Sequence, residues 1–167
     1  MNYKFEKMTT SHSKEVIDIF NYYIENSFAA YFDNKLPYEF FTKFIEMTKN
    51  FPAYIIKSED TGKVVGFSFL KAYSPLPAFK ETAEITYFIE KDSVRSGLGK
   101  AALTLLEQDA KNIGIKYLLA SISSKNTQSL KFHEKNGFNQ CGRFYNIGKK
   151  NNESFDVIYM EKTISNY

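Results

Sequence analysis

Apolar positions along this chain change their spacing often enough to mark out most of its elements. Tyr3–Met8 alternates apolar and polar residues and reads as a short strand. Val16, Ile19, Phe20, Tyr23 and Ile24 then recur at three- and four-residue intervals, one face of a helix, with Ser11 or Ser13 placed to cap its start. Pro37 suits the first turn of a second, short helix built on Phe40, Phe41, Phe44 and Ile45. Ala53–Lys57 and Val64–Leu70 read as strands around the turn Glu59-Asp60-Thr61-Gly62. Residues 74–80 contain Pro75 and Pro77 and predict an irregular loop, followed by a strand over Ala83–Ile89. Leu98, Ala101, Ala102, Leu105, Leu106 and Ile113 form a helical stripe closed by Gly114. Tyr117–Ser121 reads as a strand and Thr127–Lys135 as a helix stopped by Asn136-Gly137; strands near Phe138–Tyr145 and Phe155–Lys162 follow. The order βααβββαβαββ predicts an α/β domain on a mixed, mostly antiparallel sheet flanked by helices. No repeat or linker divides residues 1–167, so one domain is expected.

Composition narrows the function classes. With 43% hydrophobic and 25% charged residues, the chain has the makings of a soluble globular protein with a real core. Net charge is +3 and no Lys/Arg block exceeds two residues, which argues against the concentrated basic face that nucleic acid requires. One cysteine, Cys141, excludes an intrachain disulfide, and with only two histidines beside it no structural metal site is expected. The chain has no apolar run long enough to span a membrane, and Met1–Met8 lacks a signal-peptide core, so a cytoplasmic location is expected.

The richest segment is Val94-Arg95-Ser96-Gly97-Leu98-Gly99-Lys100-Ala101, set between a strand and an amphipathic helix. Glycines there let a ligand approach the backbone, and the free N–H groups and dipole of the helix start attract phosphate. Arg95 and Lys100 add positive charge at the same place. Gly97–Ala102 formally fits the dinucleotide pattern GxGxxA, but that fingerprint wants an acidic residue near the end of the next strand. Neither Tyr117–Ser121 nor Ile122–Lys125 supplies one, and too little chain flanks the loop for a doubly wound sheet.

The loop resembles instead the acetyl-CoA loop of the GNAT superfamily, Gln/Arg-x-x-Gly-x-Gly/Ala. Gly97 and Gly99 hold the two small positions, while Val94 stands where the family has Gln or Arg. Asn126–Phe138 resembles the second GNAT signature, Asn-x-x-Ser/Ala-…-Gly-Phe. Over nearly its whole length the chain is similar to the phosphinothricin acetyltransferase-like group. The resemblance is carried by Asn21–Ser27, by Ser121–Asn126 with His133, and by Gly148-Lys149-Lys150 with Phe155-Asp156-Val157; Ser154 replaces that group's usual Trp. The resemblance implies a GNAT fold, a homodimer, and transfer of acetyl from acetyl-CoA to a small amino-acid-like amine of the phosphinothricin or methionine sulfoximine type, without a metal. It puts the donor site on Phe88, Ile89, Val94, Arg95, Ser96, Gly97, Leu98, Gly99, Lys100, Asn126 and Ser129.

The chemistry has a definite requirement, because the attacking amine must be neutral. Deprotonating a lysine-like amine at pH 7 costs about 4.6 kcal/mol and a peptide α-amine about 1.4 kcal/mol. A positioned base is the usual remedy. Glu84 is the candidate: strand alternation puts it on one face with Thr86 and Phe88, and the group's catalytic glutamate likewise sits thirteen residues before the first loop glycine. His133 occupies the position where many GNAT enzymes carry a tyrosine that protonates the departing thiolate; the resembled group has histidine there, an acid or second base. Phe28, Tyr31, Phe32 and the loop Tyr73–Lys80 are expected on the acceptor side, with Lys80 and Lys150 available to an acidic acceptor. Cys141, with no activating neighbour in sequence, argues for direct transfer rather than an acyl-cysteine. The rival reading is a non-catalytic acyl-CoA-binding sensor or scaffold.

Overall fold

The computed structural model describes residues 2–94 and 96–165. Its elements are β1 (Tyr3–Lys7), α1 (Ser13–Asn26), α2 (Phe41–Met47), β2 (Ala53–Ser58), β3 (Val64–Ala72), β4 (Thr82–Ile89), α3 (Leu98–Asn112), β5 (Tyr117–Ser123), α4 (Thr127–Lys135), β6 (Asn139–Lys150) and β7 (Glu153–Thr163), the order the apolar pattern predicts. The strands form one mixed sheet, β1-β2-β3-β4-β5-β7-β6, antiparallel throughout except where β4 runs beside β5.

Strand alternation gives the sheet two apolar faces. Phe67 and Phe69 pack with Val16, Phe20 and Ile24 of α1 and Phe41 and Phe44 of α2 on one face. Leu70, Ile85, Leu118, Ile158 and Met160 pack with Leu103, Leu106 and Ala110 of α3 on the other, where Leu130 and Phe132 of α4 also lie. Among the described residues no helix is long and apolar enough to cross a membrane.

Three details differ from the expected pattern. Helix α1 is not capped by Ser11 or Ser13: a 3-10 turn over Thr10–His12 precedes it, and the Ser13 hydroxyl donates to Tyr38 O at 2.8 Å. The buried stripe of α3 is Leu98, Ala102, Leu103, Leu106 and Ala110, leaving Ala101 exposed and Ile113 49% exposed. Alanines mark a helix face weakly, so the expected stripe was turned by about one residue. Strands β6 and β7 are longer than expected because Asn151 and Asn152, at φ 51° and 61°, form a two-residue turn between Lys150 and Glu153. Two positive φ values in a row suit a type I′ hairpin, whose twist matches its strands.

The site depends most on the β4–β5 pair. Its ladder consists of Thr82–Tyr117, Ala83–Leu118 and Glu84–Leu119. Beyond that rung β4 continues to Ile89 and β5 to Ser123 without pairing to each other, each held only by its outer neighbour, β3 or β7. A wedge therefore opens in the middle of the sheet with Glu84 at its apex.

Candidate active site

Strand register decides which side chains meet at the apex. Glu84 pairs across β3–β4 with Lys71, and the Lys71 ammonium lies 2.6 Å from a Glu84 carboxylate oxygen. The Glu84 side chain is 16% exposed, within reach of a ligand but drawn largely out of water. Thr86 and Phe88 share its face, as alternation requires. Lys71 escapes a reading by local spacing because it meets Glu84 only through a pairing thirteen residues along the chain.

At the far end of the wedge, Gly97 takes a left-handed φ of 84° that would strain any side chain, immediately before α3. The first bond inside α3 runs from Ala101 N–H to Gly97 O at 3.0 Å. Helix geometry thus leaves the N–H groups of Leu98, Gly99 and Lys100 outside the intrahelical ladder, at the positive end of the dipole. Gly99 permits a close fit: a Cβ there would stand 3.3 Å from the Phe132 ring of α4 and 3.7 Å from Ile89 Cδ1. An open groove lined by Gly97, Lys100, Ala101, Thr104, Leu105 and Gln108 runs on along α3. Val94 is half-buried, Ser96 and Lys100 are exposed, and Arg95 lies outside the described residues. Phe88 packs its ring on Phe20, Tyr23 and Phe67, so only its backbone borders the wedge. The Ile89 carbonyl accepts from the Tyr23 hydroxyl, which ties α1 to the end of β4.

Asn126 caps α4, its Oδ1 accepting from Ser129 N–H at 3.2 Å, and its amide nitrogen has no protein partner among the described residues. His133 is only 3% exposed and does not share Glu84's face. It stacks on Tyr87 at 5.5 Å and sits edge-on to Phe138 at 4.9 Å, on the side of the sheet covered by α3 and α4. Ser129 O lies 2.7 Å from Nδ1 and can only accept, so Nδ1 carries the proton and Nε2 accepts from the Tyr87 hydroxyl. Burial holds the imidazole below its ordinary value, outweighing the Ser129 bond, and pushes the Tyr87 phenol well up. The pair is therefore a neutral imidazole served by a hydroxyl.

That arrangement fixes a sign for stability against pH. Below the reference value of 6.5 the unfolded chain takes up a proton that folded His133 refuses. Stability contributed here is full above 6.5, falls as pH drops below it, and levels off beneath the folded value. A melting-temperature series from about pH 8 to about pH 5 should show this slope, and His133→Gln should remove part of it. Identical slopes in the two proteins would clear His133 of the effect.

On the Glu84 face, the loop after α1 carries Phe28 and Tyr31. Tyr31, 45% exposed, stacks on Phe155 of β7 at 5.4 Å, on the side of the diverging stretch of β5 that carries Ser121. Burial of part of the ring raises its phenol, with Ser121 pulling the other way. Phe28 meets Phe155 edge-on at 5.7 Å, with the Lys125 ammonium 5.5 Å from its ring centre. Tyr73 follows Lys71 on the same strand face and is 43% exposed, edge-on to Phe79. The structure thus gathers Glu84, Tyr31 and Tyr73 on one side of the sheet and places His133 on the other. Lys80 is exposed. Lys150 is unavailable to an acceptor anion: it is 2% exposed and donates to the carbonyls of Ile24, Ser27 and Ala30. The position of Ser154 is exposed, and the ring beneath the loop is its neighbour Phe155. Among the described residues no three His, Cys, Asp or Glu side chains come together as a metal site would require.

Comparison with known proteins gives a concordant picture. A family model described as an acetyltransferase (GNAT) domain matches residues 9–159. A Bacillus subtilis protein provisionally named a phosphinothricin acetyltransferase is 30% identical over 118 residues, covering 71% of this chain and 72% of that protein. The L-methionine sulfoximine/L-methionine sulfone acetyltransferase of Pseudomonas aeruginosa is 27% identical over 107 residues, 64% of this chain and 62% of its own length, so the match spans less than two thirds of that relative. A solved GNAT superfamily phosphinothricin acetyltransferase of Sinorhizobium meliloti, in complex with AcCoA, shares the fold at a TM-score of 0.90 with 21% identity, covering 98% of this chain and 89% of that one.

Proposed function

The chain belongs to the GNAT acetyltransferase family, and we propose that it transfers the acetyl group of acetyl-CoA to the amine of a small, amino-acid-like acceptor by direct attack in a ternary complex. The observation that carries this reading is the wedge between β4 and β5, with a half-buried carboxylate at its apex and a left-handed glycine and open helix start at its mouth. Acceptors of the phosphinothricin or methionine sulfoximine type are favoured by the names of the relatives above.

The residues present fit the donor. Leu98, Gly99 and Lys100 offer backbone N–H groups and the α3 dipole to a pyrophosphate, and Gly97 keeps side chains out of its path. The unpaired edges of β4 and β5 offer backbone groups to an extended chain, and the Asn126 amide adds one polar contact at the start of α4. Bound there, acetyl-CoA supplies an acetyl thioester. Glu84 takes the proton that the acceptor's ammonium must lose, and passes it to solvent. Lys71 holds that carboxylate in place until the acceptor arrives. Tyr87 occupies Nε2 of His133 and Nδ1–H faces Ser129 O, so the neutral imidazole orients the Tyr87 hydroxyl and the departing thiolate takes its proton from solvent. Tyr31 and Tyr73 flank the acceptor side. Cys141 supports direct transfer by its unsuitability as a nucleophile, since burial and the nearby Glu161 carboxylate push its thiol up. A cytoplasmic homodimer belongs to the same reading; the apolar residues Phe144, Tyr145 and Ile147, 53–73% exposed on edge strand β6, support self-association.

Release of free thiol from acetyl-CoA, measured against phosphinothricin, methionine sulfoximine, methionine sulfone, ordinary amino acids and polyamines, tests the proposal. Turnover confined to amino-acid-like amines is the expected result. Acetyl-CoA binding without turnover on any amine would overturn it in favour of a non-catalytic acyl-CoA binder.

A further inference from the structure

Lys150 is a buried cation with no carboxylate at ion-pair distance among the described residues. Its ammonium donates to Ile24 O at 2.6 Å, Ser27 O at 2.8 Å and Ala30 O at 2.8 Å. Three donors on three acceptors use the group completely. Removing an ammonium from water is costly, and three charge-assisted bonds at the negative end of α1 are what offset it.

The lysine solves a local problem in the chain. Helix α1 ends in Asn26-Ser27 with no glycine to turn the backbone, and Ser27 leaves the helix extended at φ −156° and ψ 174°. The last carbonyls need other partners. Asn26 Nδ2 serves Tyr22 O, the Ser27 N–H and hydroxyl serve Tyr23 O, and Lys150, from the other end of the chain, serves Ile24 O and the next two turns of loop. The same hairpin holds that loop a second time. The tight Asn151-Asn152 turn brings Phe155 of β7 under Tyr31 and Phe28, while Lys150 of β6 grips the backbone just before Phe28 and, at Ala30, between the two rings.

We propose that Lys150 is a positioning residue for the acceptor: by fixing the backbone of residues 24–30 it sets Tyr31 against Phe155, and so gives one wall of the acceptor pocket its shape. This rests on the acetyltransferase reading of the site and assigns Lys150 no contact with donor, acceptor or Glu84. The donor loop at Gly97 and α3 stands on other elements, so its binding is independent of the clamp.

The test is Lys150→Met, which keeps an unbranched side chain and removes the donors. The expected result is an acceptor KM raised about 10- to 100-fold with acetyl-CoA affinity unchanged. Faster amide hydrogen exchange is expected at residues 27–32 but not at 97–101. Equal loss of donor and acceptor affinity, or unchanged acceptor KM alongside faster exchange, would overturn the proposal and leave Lys150 a plain staple. Should Lys150→Met fail to fold, Phe155→Leu loosens the ring half of the grip while retaining the ammonium. The same KM split is expected there, and its absence overturns the idea. If the unaltered protein acetylates no amine, the acetyltransferase reading fails by itself. Exchange across residues 27–32 then decides separately whether the ammonium sets the loop, and unchanged exchange sinks the clamp.

Discussion

Replacing Glu84 with Gln is expected to cut acetyl transfer by about 10²–10⁴-fold, the range a positioned general base contributes. The substitution keeps the shape of the side chain and removes its ability to take a proton. Its structural effect should be modest, because Gln keeps an oxygen that can accept from Lys71, whose ammonium stays partly in water, with Lys71 35% exposed. Folding and acetyl-CoA affinity should therefore change far less than kcat. The informative comparison is kcat in the variant and the original protein, with acetyl-CoA affinity measured on the same samples. A kcat that hardly moves would remove Glu84 as the base. The wedge would still bind the donor, but the proton acceptor would have to be sought elsewhere, with bulk water the first candidate.

The second large effect is expected at Gly148. A Cβ added there would stand 2.2, 2.5 and 2.7 Å from three atoms of the Phe155 ring. No small adjustment relieves three such contacts at once, so Gly148→Ala must drive the ring off the strand backbone. Overpacking of this kind costs about 1–3 kcal/mol. For a chain of this size each kcal/mol lowers the melting temperature by about 2–4 °C. Displacing Phe155 also removes the surface on which Tyr31 and Phe28 rest, so acceptor KM should rise together with the loss of stability. Gly142 on the same strand provides the control, since a Cβ there meets nothing within 4 Å. Calorimetry of both alanine variants decides the matter: matching melting temperatures would mean the ring yields freely and the close approach is unimportant.

The hydrophobic pattern revealed the element order because most strands and helices here bury one clear face, and such faces repeat at spacings of two or 3.6. Val16 to Ile24 and the Phe40–Ile45 cluster are cases in point. It failed where burial is not periodic. The run Gly148 to Asn152 has almost no apolar residue, so the far end of β6 and the β6–β7 turn were invisible to it. The glycine loop is marked by local chemistry, a glycine pair before an amphipathic helix. Glu84 stands out only through the thirteen-residue spacing to that loop shared with the resembled group, since a carboxylate on an alternating strand does not by itself mark a base. Lys71 and the Tyr87–His133 bond depend on register and sheet face, which a single sequence does not state. The role of Lys150 is hidden for the same reason. A lysine near the end of a strand looks exposed until its three carbonyl partners, more than a hundred residues away, are known.

The short ladder between β4 and β5 has a mechanical meaning too. Among the described residues, backbone pairing joins the slab β1-β2-β3-β4 to the slab β5-β7-β6 only at one end, through three rungs and the bonds that Lys116 and Tyr117 N–H donate to Glu81 O just before them. An extended molecule lying in the gap would replace the missing rungs, so the substrate would act as a temporary eighth strand. Loading the donor should therefore knit two half-sheets into one cooperative unit, and discharging it should return the seam to the looser state from which the product can leave.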